Sequence, residues 1–430
     1  MITGSGNITH SQREYIEGVV ETLYQAEADF VSRLERKSDK NPTNFRGRRV
    51  SLETVANGSL SFGNPSGGDL ATPGSPANDK YLVPYVWMNV GLDIDYESLL
   101  NKSAGMVTDP VRRAVEATAK QMVKWLNIYA SNGDGTTKLA VASAAYNAGS
   151  ATAFVANGST DTIGASQIVK GMKLRVYDPT GTTQRVGTVG AGALTVSSTT
   201  GTQVTFSTNL PSDYIVGDIL VPEGATPSNG FFGVPGLVAN SGTIYGVSRT
   251  GVPSTASTIV NAGGGLSAAL LFQTYSQIRQ RVGKSAVKGE GAVEMFTNIT
   301  QYAAYYGLTT ATAQLLFPRD GMQRPGIDIG GANPDEFTWF GVKINCMLDW
   351  VGSRIDFLNV ASLKIAALKE GGEMLPPFDK PLPGINGSTN TYTAKQVQWW
   401  DVARQYYTAA AHKHGALTGL TVTGYPMQKS

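Results

Sequence analysis

Three histidines are the first place to look for chemistry in this chain of 430 residues: His10, His412 and His414. His412 and His414 form an H-x-H pair. On a strand, alternate residues face one side, which would let two imidazoles share a metal. A protein zinc site needs three or four ligands, and no third ligand is evident near the pair, so no metal site is expected. Gly283-Lys284-Ser285 has the ending of a P-loop. That loop requires G-x-x-x-x-G-K-[ST], placed after a strand and opening a helix. Here Ile278 stands where the first glycine is needed and the segment follows a helical pattern, so the motif is rejected. Asp93, Asp95 and Glu97 alternate in "GLDIDYESLL" and would line one strand face, an arrangement for a hydrated cation. The same pattern describes a solvated strand face running into a helix start. No G-x-S-x-G elbow is present, and no histidine sits beside a recognisable nucleophile. The expectation is a chain with no catalytic, cofactor-binding or metal-binding residues, and not an enzyme.

The remaining charged clusters are basic and modest. Arg46, Arg48 and Arg49 precede a long polar loop; Arg112, Arg113, Lys120 and Lys124 lie on a helical segment; Arg279, Arg281, Lys284 and Lys288 close another. A nucleic-acid patch would be denser and interleaved with aromatics. These residues read as solvated faces or salt-bridge partners, or as groups that pair with acidic residues of another subunit. The formal net charge is +2, with 16% charged residues, so the chain as a whole is not a nucleic-acid binder by electrostatics. The single Cys346 excludes an internal disulfide and any multi-cysteine metal site. The N-terminus, "MITGSGNITHSQREY", lacks the basic and apolar regions of a signal peptide. No apolar run approaches the roughly 20 residues needed to span a bilayer.

The elements that must position these groups follow from periodicity. Residues 11–37 are predicted as an amphipathic helix, with a Ser11/Glu14 capping box and an apolar stripe that includes Tyr15, Val19 and Leu23. "RRVSLETV" and "YLVPYVWMNVGL" read as strands flanking "SFGNPSGGDLATPGSPANDK", residues 61–80. A loop that long is usually functional or disordered. Asp109 as N-cap and Pro110 at the first helical position start a helix that runs to about residue 132. Residues 136–230 are rich in Thr, Ser, Gly, Ala and Val, with short alternating strands such as "GMKLRVY" and a turn at Asp178-Pro179-Thr180-Gly181. This segment is predicted as an inserted all-β module, a small sandwich or barrel. Beyond it come a helix from about Ser267 to Val282, a strand "AVEMFT", a short helix near "NITQYAAYYGL" capped by Asn298, and then mostly strands, one of them holding Trp399 and Trp400.

Three stretches carry a resemblance. "FTWFGVKINCMLDWVGSRIDFLNVASLKIAAL" resembles a recurring F-x-G-x-x-I strand followed by I-x-F-L-N. "GVPGLVANSGTIYGVSRTG" is similar to a "G-L-P-G-L … Y-x-G-I-x-R" segment. "GAVEMFTNITQYAAYYGL" resembles a strand and helix of an apical domain. In this order, after an arm helix, a long loop and a long capped helix, they resemble the major capsid proteins of tailed bacteriophages, which share the Hong Kong 97 fold.

The resemblance implies an α+β Hong Kong 97-like capsid fold with an inserted all-β domain. Residues 1–45 would be an N-terminal arm and 46–88 an extended β-hairpin loop (E-loop). Residues 89–135 would form a peripheral domain with a long spine helix, 136–230 the insert, 231–390 the apical domain and its connections, and 391–430 the strands returning to the peripheral domain. Copies would assemble as hexamers and pentamers into an icosahedral virion shell around double-stranded DNA, formed in the bacterial host cytoplasm without a membrane. Implied partners are a portal, a decoration protein and packaged DNA contacted non-specifically. The chain opens at Met1 with a short arm, so a separate scaffolding protein is expected, and assembly is expected to be non-covalent. The subunit-interface candidates are Tyr15, Val19 and Leu23 of the arm; Arg46, Arg48, Arg49, Phe62, Asn64, Pro65, Leu70, Pro73 and Pro76 of the extended loop; and Arg112 and Arg113 of the spine helix. The competing reading is a phage surface, tail or decoration protein with a carbohydrate-binding β module.

Overall fold

The computed structural model describes residues 30–38, 47–55, 77–95, 110–156, 163–187, 190, 192–283, 292–316, 338–339, 342–347, 349–368, 373–374 and 395–422. In chain order the strands are β1 (Glu35–Ser38), β2 (Arg48–Val55), β3 (Ala77–Val83), β4 (Val86–Asp95), β5 (Ala140–Val141), β6 (Ala153–Val155), β7 (Lys173–Tyr177), β8 (Leu194–Thr199), β9 (Gln203–Phe206), β10 (Ile219–Pro222), β11 (Thr243–Ile244), β12 (Val247–Ser248), β13 (Thr258–Gly264), β14 (Val293–Thr297), β15 (Thr338–Trp339), β16 (Val342–Cys346), β17 (Ile355–Asn359), β18 (Leu363–Ala367), β19 (Glu373–Met374), β20 (Lys395–Thr408) and β21 (Gly415–Leu420). Three long helices interrupt them: α1 (Pro110–Asn132), α2 (Ala268–Val282) and α3 (Ile299–Leu316). Two compact units result. One comprises Met1–Arg48, Pro84–Asn127 and Ile365–Gln405; the other Arg49–Val83, Ile128–Lys364 and Tyr406–Ser430.

The first unit is built on a five-stranded sheet in the order β1-β18-β20-β19, with β4 also paired to β20. The β4–β20 ladder runs antiparallel from Asp95↔Lys395 to Val86↔Arg404 and places Trp399 and Trp400 opposite Gly91 and Val90. β1 corrects one expectation. The helix predicted over 11–37 does not include its last residues: Val31–Arg33 form a 3-10 turn and Glu35–Ser38 a strand. "ERKS" favours a helix intrinsically, but the sheet offers it a ladder position, and such a tertiary partner overrides propensity.

α1 begins at Pro110, as its start signal predicts. The expected stripe is buried at Met122, Trp125, Leu126 and Tyr129. Its last turns go further, because Asn127, Ile128, Ala130, Ser131 and Asn132 are buried as well. Helices apolar on one face are surface helices, and burial all round marks a helix inside a core.

In the second unit, β5 to β10 form one antiparallel sheet in the order β5-β10-β7-β8-β9-β6. An Ala142↔Ala156 bridge and a Ser143 N–H to Val155 carbonyl bond of 2.9 Å join its two ends, so the sheet closes on itself. This is the barrel among the two alternatives, and closure leaves no strand edge open. Alternation decides which residues go inside: Leu174, Val176, Leu194, Val196, Val204 and Phe206 are all buried. The Asp178–Gly181 turn closes with a 2.9 Å backbone bond.

The other sheet of this unit is mixed, in the order β13-β21-β17-β14-β16-β15. β13 runs parallel to β21, and β14 parallel to β16. Its packed face (Val293, Met295, Ile344, Ile355, Phe357 and Leu417) is covered by Leu271, Tyr275 and Ile278 of α2 and Tyr302 and Tyr305 of α3. Ser267 caps α2 by accepting the Leu270 N–H, and Asn298 caps α3 by accepting the Thr300 N–H at 3.0 Å. α3 is longer than its sequence suggests, because Gly307 and the threonine-rich turns after it continue the helix to Leu316. The last two strands, expected to return together, take different partners: β20 pairs with β4 and β21 with β13 and β17.

Candidate assembly elements

The predicted interface residues fall mostly on segments outside the described residues: Tyr15, Val19, Leu23, Arg46, Phe62, Asn64, Pro65, Leu70, Pro73 and Pro76. Arg112 and Arg113 lie in the first turn of α1. Arg48 and Arg49 open β2, half-buried and exposed respectively. The structure does describe the root of the hairpin that carries the loop. β2 and β3 pair as a two-stranded sheet. Val50, Leu52, Tyr81 and Val83 are buried, while Arg49, Ser51, Lys80 and Leu82 are exposed. One side of this hairpin is therefore fastened and the other is free.

Tyr81 is the fastening, and sequence reading missed it. Its hydroxyl donates to the Thr408 carbonyl at 2.7 Å, and its ring stacks on Tyr245 with centroids 5.3 Å apart. Tyr245 in turn donates its hydroxyl to the Tyr406 carbonyl and packs against Phe232 at 4.6 Å. Burial pushes both phenols up, so each remains a donor. Tyr245 also has φ +48° and Gly246 φ +86° at the two-residue turn between β11 and β12. That is the backbone a tight hairpin of this twist demands. The Y-x-G pattern in "GTIYGVSRTG" thus has a physical cause.

The arginine that ends the same motif has one too. Arg249 is 2% exposed. Its guanidinium donates to the carbonyls of Leu237 (3.1 Å), Ala239 (3.2 Å), Thr255 (2.7 Å) and Gly236 (2.5 Å). Four backbone acceptors from two loop segments converge on one planar group with five donors. Burial brings its pKa down to about 10, which leaves the cation intact at neutral pH.

The chain enters and leaves the barrel through a laced neck. Gly135 N–H bonds to the Phe231 carbonyl (3.0 Å), Gly230 N–H to the Gly135 carbonyl (3.2 Å) and Thr137 N–H to the Pro227 carbonyl (3.0 Å). A Cβ on Gly230 would collide with the Thr136 backbone, and one on Gly233 with the Tyr129 carbonyl at the end of α1. Inside the barrel, Asp218 is fully buried and binds the Arg185 guanidinium through both oxygens at 2.9 Å.

The candidates for chemistry are dispersed. His412 lies in a 3-10 turn and His414 just after it, so the pair does not share a strand face. His414 is fully buried: its Nδ1 accepts the Asn359 N–H at 3.2 Å, and its Nε2 lies 3.0 Å from Ser362 Oγ and 3.3 Å from Thr408 Oγ1. Both nitrogens are occupied by the protein itself. Burial, with His412 and Lys413 alongside, holds the ring neutral with a pKa of about 3. Asp93 and Asp95 sit on β4 opposite Val397 and Lys395, and Glu97 is outside the described residues. Gly283 ends α2 with φ +79°, so the G-K-S segment follows a helix rather than a strand. Among the described residues, no three ligating side chains cluster and no helix is long and apolar enough to cross a membrane.

No protein-family model matches the sequence, and no curated protein is similar to it. Solved structures are. The chain is similar to the capsid asymmetric unit of cyanophage A-1(L), with a TM-score of 0.52 at 12% identity, over 92% of this chain and 93% of that one. It also aligns with the capsid of a native GTA particle (TM-score 0.44, 9% identity, 92% and 90% covered) and with a chain of Gordonia phage Cozz (0.43, 9%, 92% and 86%). The chain therefore has the mixed α+β fold of phage capsid proteins of the Hong Kong 97 type, as the sequence resemblance implied.

Proposed function

We propose that this chain is the major capsid protein of a tailed bacteriophage, building the icosahedral virion shell around double-stranded DNA from hexamers and pentamers. The observation that carries the reading is the end-to-end likeness to the cyanophage A-1(L) capsid unit, 92% of this chain against 93% of that one. A tail or decoration protein with a β module would share at most part of that length. The closed barrel and its neck support the view of residues 136–230 as an insert within the shell fold, since its two ends lie hydrogen-bonded side by side. The pinned root of β2 and β3 supports an extended loop that reaches a neighbouring copy. Shells gain strength when each such contact repeats around every symmetry axis. Assembly in the host cytoplasm, with a separate scaffolding protein, a portal and a decoration protein and without covalent crosslinks, completes the proposal.

Electron microscopy of the purified protein tests it. Closed shells or capsomer-sized rings are expected, and a monomer that persists at high concentration would overturn the reading. Deleting residues 63–79 should leave a soluble, folded subunit that fails to close a stable shell. On intact particles, limited proteolysis should reach the loops of the barrel; full protection would remove the insert from the outer surface.

A further inference from the structure

Acidic residues are distributed unevenly along this chain. Residues 224–289 contain Arg249, Arg279, Arg281, Lys284 and Lys288 and no Asp or Glu; residues 402–430 contain Arg404, Lys413 and Lys429 and again none. Those eight cations come from a total of 35 Lys and Arg against 33 Asp and Glu, so in the rest of the chain acids outnumber bases by 33 to 27. The fold then brings the two acid-free segments together. β13 pairs in parallel with β21 from Thr258↔Gly415 to Gly264↔Leu420, and α2 packs on that pair through Leu271, Tyr275 and Ile278.

Within this region, Arg249 and Arg404 are buried. Arg279, Arg281 and Lys413 reach the surface, with His412 half-buried beside them. Arg281 makes only long contacts, 3.4 Å to Thr258 Oγ1 and 3.5 Å to the Pro253 carbonyl, and its charge together with that of Lys413 acts on His412. None of the three surface cations forms an ion pair with a described residue. A guanidinium has five donors, so most of those on Arg281 are unused.

We infer that the α2 C-terminus and the turn before β21 form a patch, centred on Arg279, Arg281 and Lys413, that binds the phosphate backbone of a nucleic-acid duplex. The inference deepens the shell reading and rests on it for the identity of the duplex as packaged genome. The absence of carboxylates selects this partner. A protein surface carries both signs, so a patch facing it tolerates acids among its bases; a phosphate backbone is anionic throughout and repels every carboxylate. Lys and Arg without ordered base-reading groups bind any sequence.

The test uses the full-length protein, a 25-base-pair fluorescent duplex and anisotropy titrations across a range of KCl concentrations. Wild type should bind with an affinity that falls steeply with salt. The R279Q/R281Q/K413Q variant should bind at least about tenfold more weakly at low salt, with the log–log salt slope shallower by roughly 2 to 3, near 0.9 for each phosphate that is no longer neutralised. R279K/R281K keeps the charge and should stay close to wild type, which separates loss of binding from loss of folding. Unchanged affinity and slope in the glutamine variant would overturn the patch. So would a wild type that ignores the duplex but self-associates in a salt-sensitive way that the variant loses, which would make a second copy the partner. Light scattering on the same wild-type sample reports the shell separately: duplex binding without particles would sink the shell reading and leave the patch.

Discussion

The two sheets of the second unit solve the same problem in opposite ways. The barrel, β5 to β10, closes an antiparallel sheet on itself with an alternating pattern and needs no helix to cover it. The mixed sheet pairs strands far apart in sequence, β13 with β21 and β14 with β16 and β17, and roofs one face with α2 and α3. Each has a buried carboxylate held by an arginine: Asp218 by Arg185 at 2.9 Å and Asp356 by Arg354 at 2.6 Å. The barrel draws its order from local alternation and turns, and the mixed sheet from partners that no local signal names.

The largest effects should come from emptying one core and watching the other. Phe357 and Phe154 are each 0% exposed, the first at the centre of the mixed sheet and the second inside the barrel. Either one changed to Ala should cost about 3–5 kcal/mol. Calorimetry should place Phe154→Ala on a separate barrel transition and leave far-ultraviolet helicity intact, whereas Phe357→Ala should unfold α2 and α3 with their sheet. If both variants shift a single transition equally, the two bodies are one cooperative unit.

The arginine pairs come next. Arg185→Ala or Arg354→Ala leaves a buried carboxylate short of its cation and should cost about 3 kcal/mol, near the lower end for a broken buried pair. Asp356 keeps the Trp350 indole N–H at 2.9 Å and Asp218 the Ile215 N–H at 3.0 Å. Urea titration of the two variants compares the sheets directly.

Acid should separate them further. His414 titrates at about 3 in the fold against 6.5 when free. Its contribution is complete above pH 6.5 and is lost as pH falls through the window down to about 3, by at most about 1.4 kcal/mol per pH unit. The His414→Gln stability curve should be flatter than wild type through that window. The barrel contains no histidine. Its Asp178, held near 2 by Thr180, Thr183 and Thr182, contributes above pH 3.8 and loses that contribution only as pH falls toward 2. Barrel stability that declined already at pH 6 would contradict this contrast. The smallest effect is at a cap: Ser267→Ala removes the acceptor for the Leu270 N–H and should cost about 1 kcal/mol by thermal melting.

Much of the barrel and the helices was legible. "GMKLRVY" announced Leu174 and Val176 as inward, and Pro110, Ser267 and Asn298 marked helix starts, because alternation and caps are properties of neighbouring residues. The assembly elements were legible only as segments. Tyr81 could not be chosen from "KYLVPY", since its role depends on a Thr408 carbonyl 327 positions away. Arg249 stood out as the end of a motif, yet its four carbonyl partners could not be named, because carbonyls carry no sequence signature. "RLERKS" misled, because a sheet position outweighed helix propensity.

By itself, then, the sequence determined the shell-like order of arm, loop, long helix, β segment and mixed domain, and the lack of any catalytic constellation, because periodicity, turn residues and composition are local. Only the tertiary structure decided that the β segment closes into a barrel, that β20 and β21 part company, and that two acid-free segments lie side by side. Those outcomes turn on which distant strands pair, and pairing energy comes from packed faces that form only when the chain has folded.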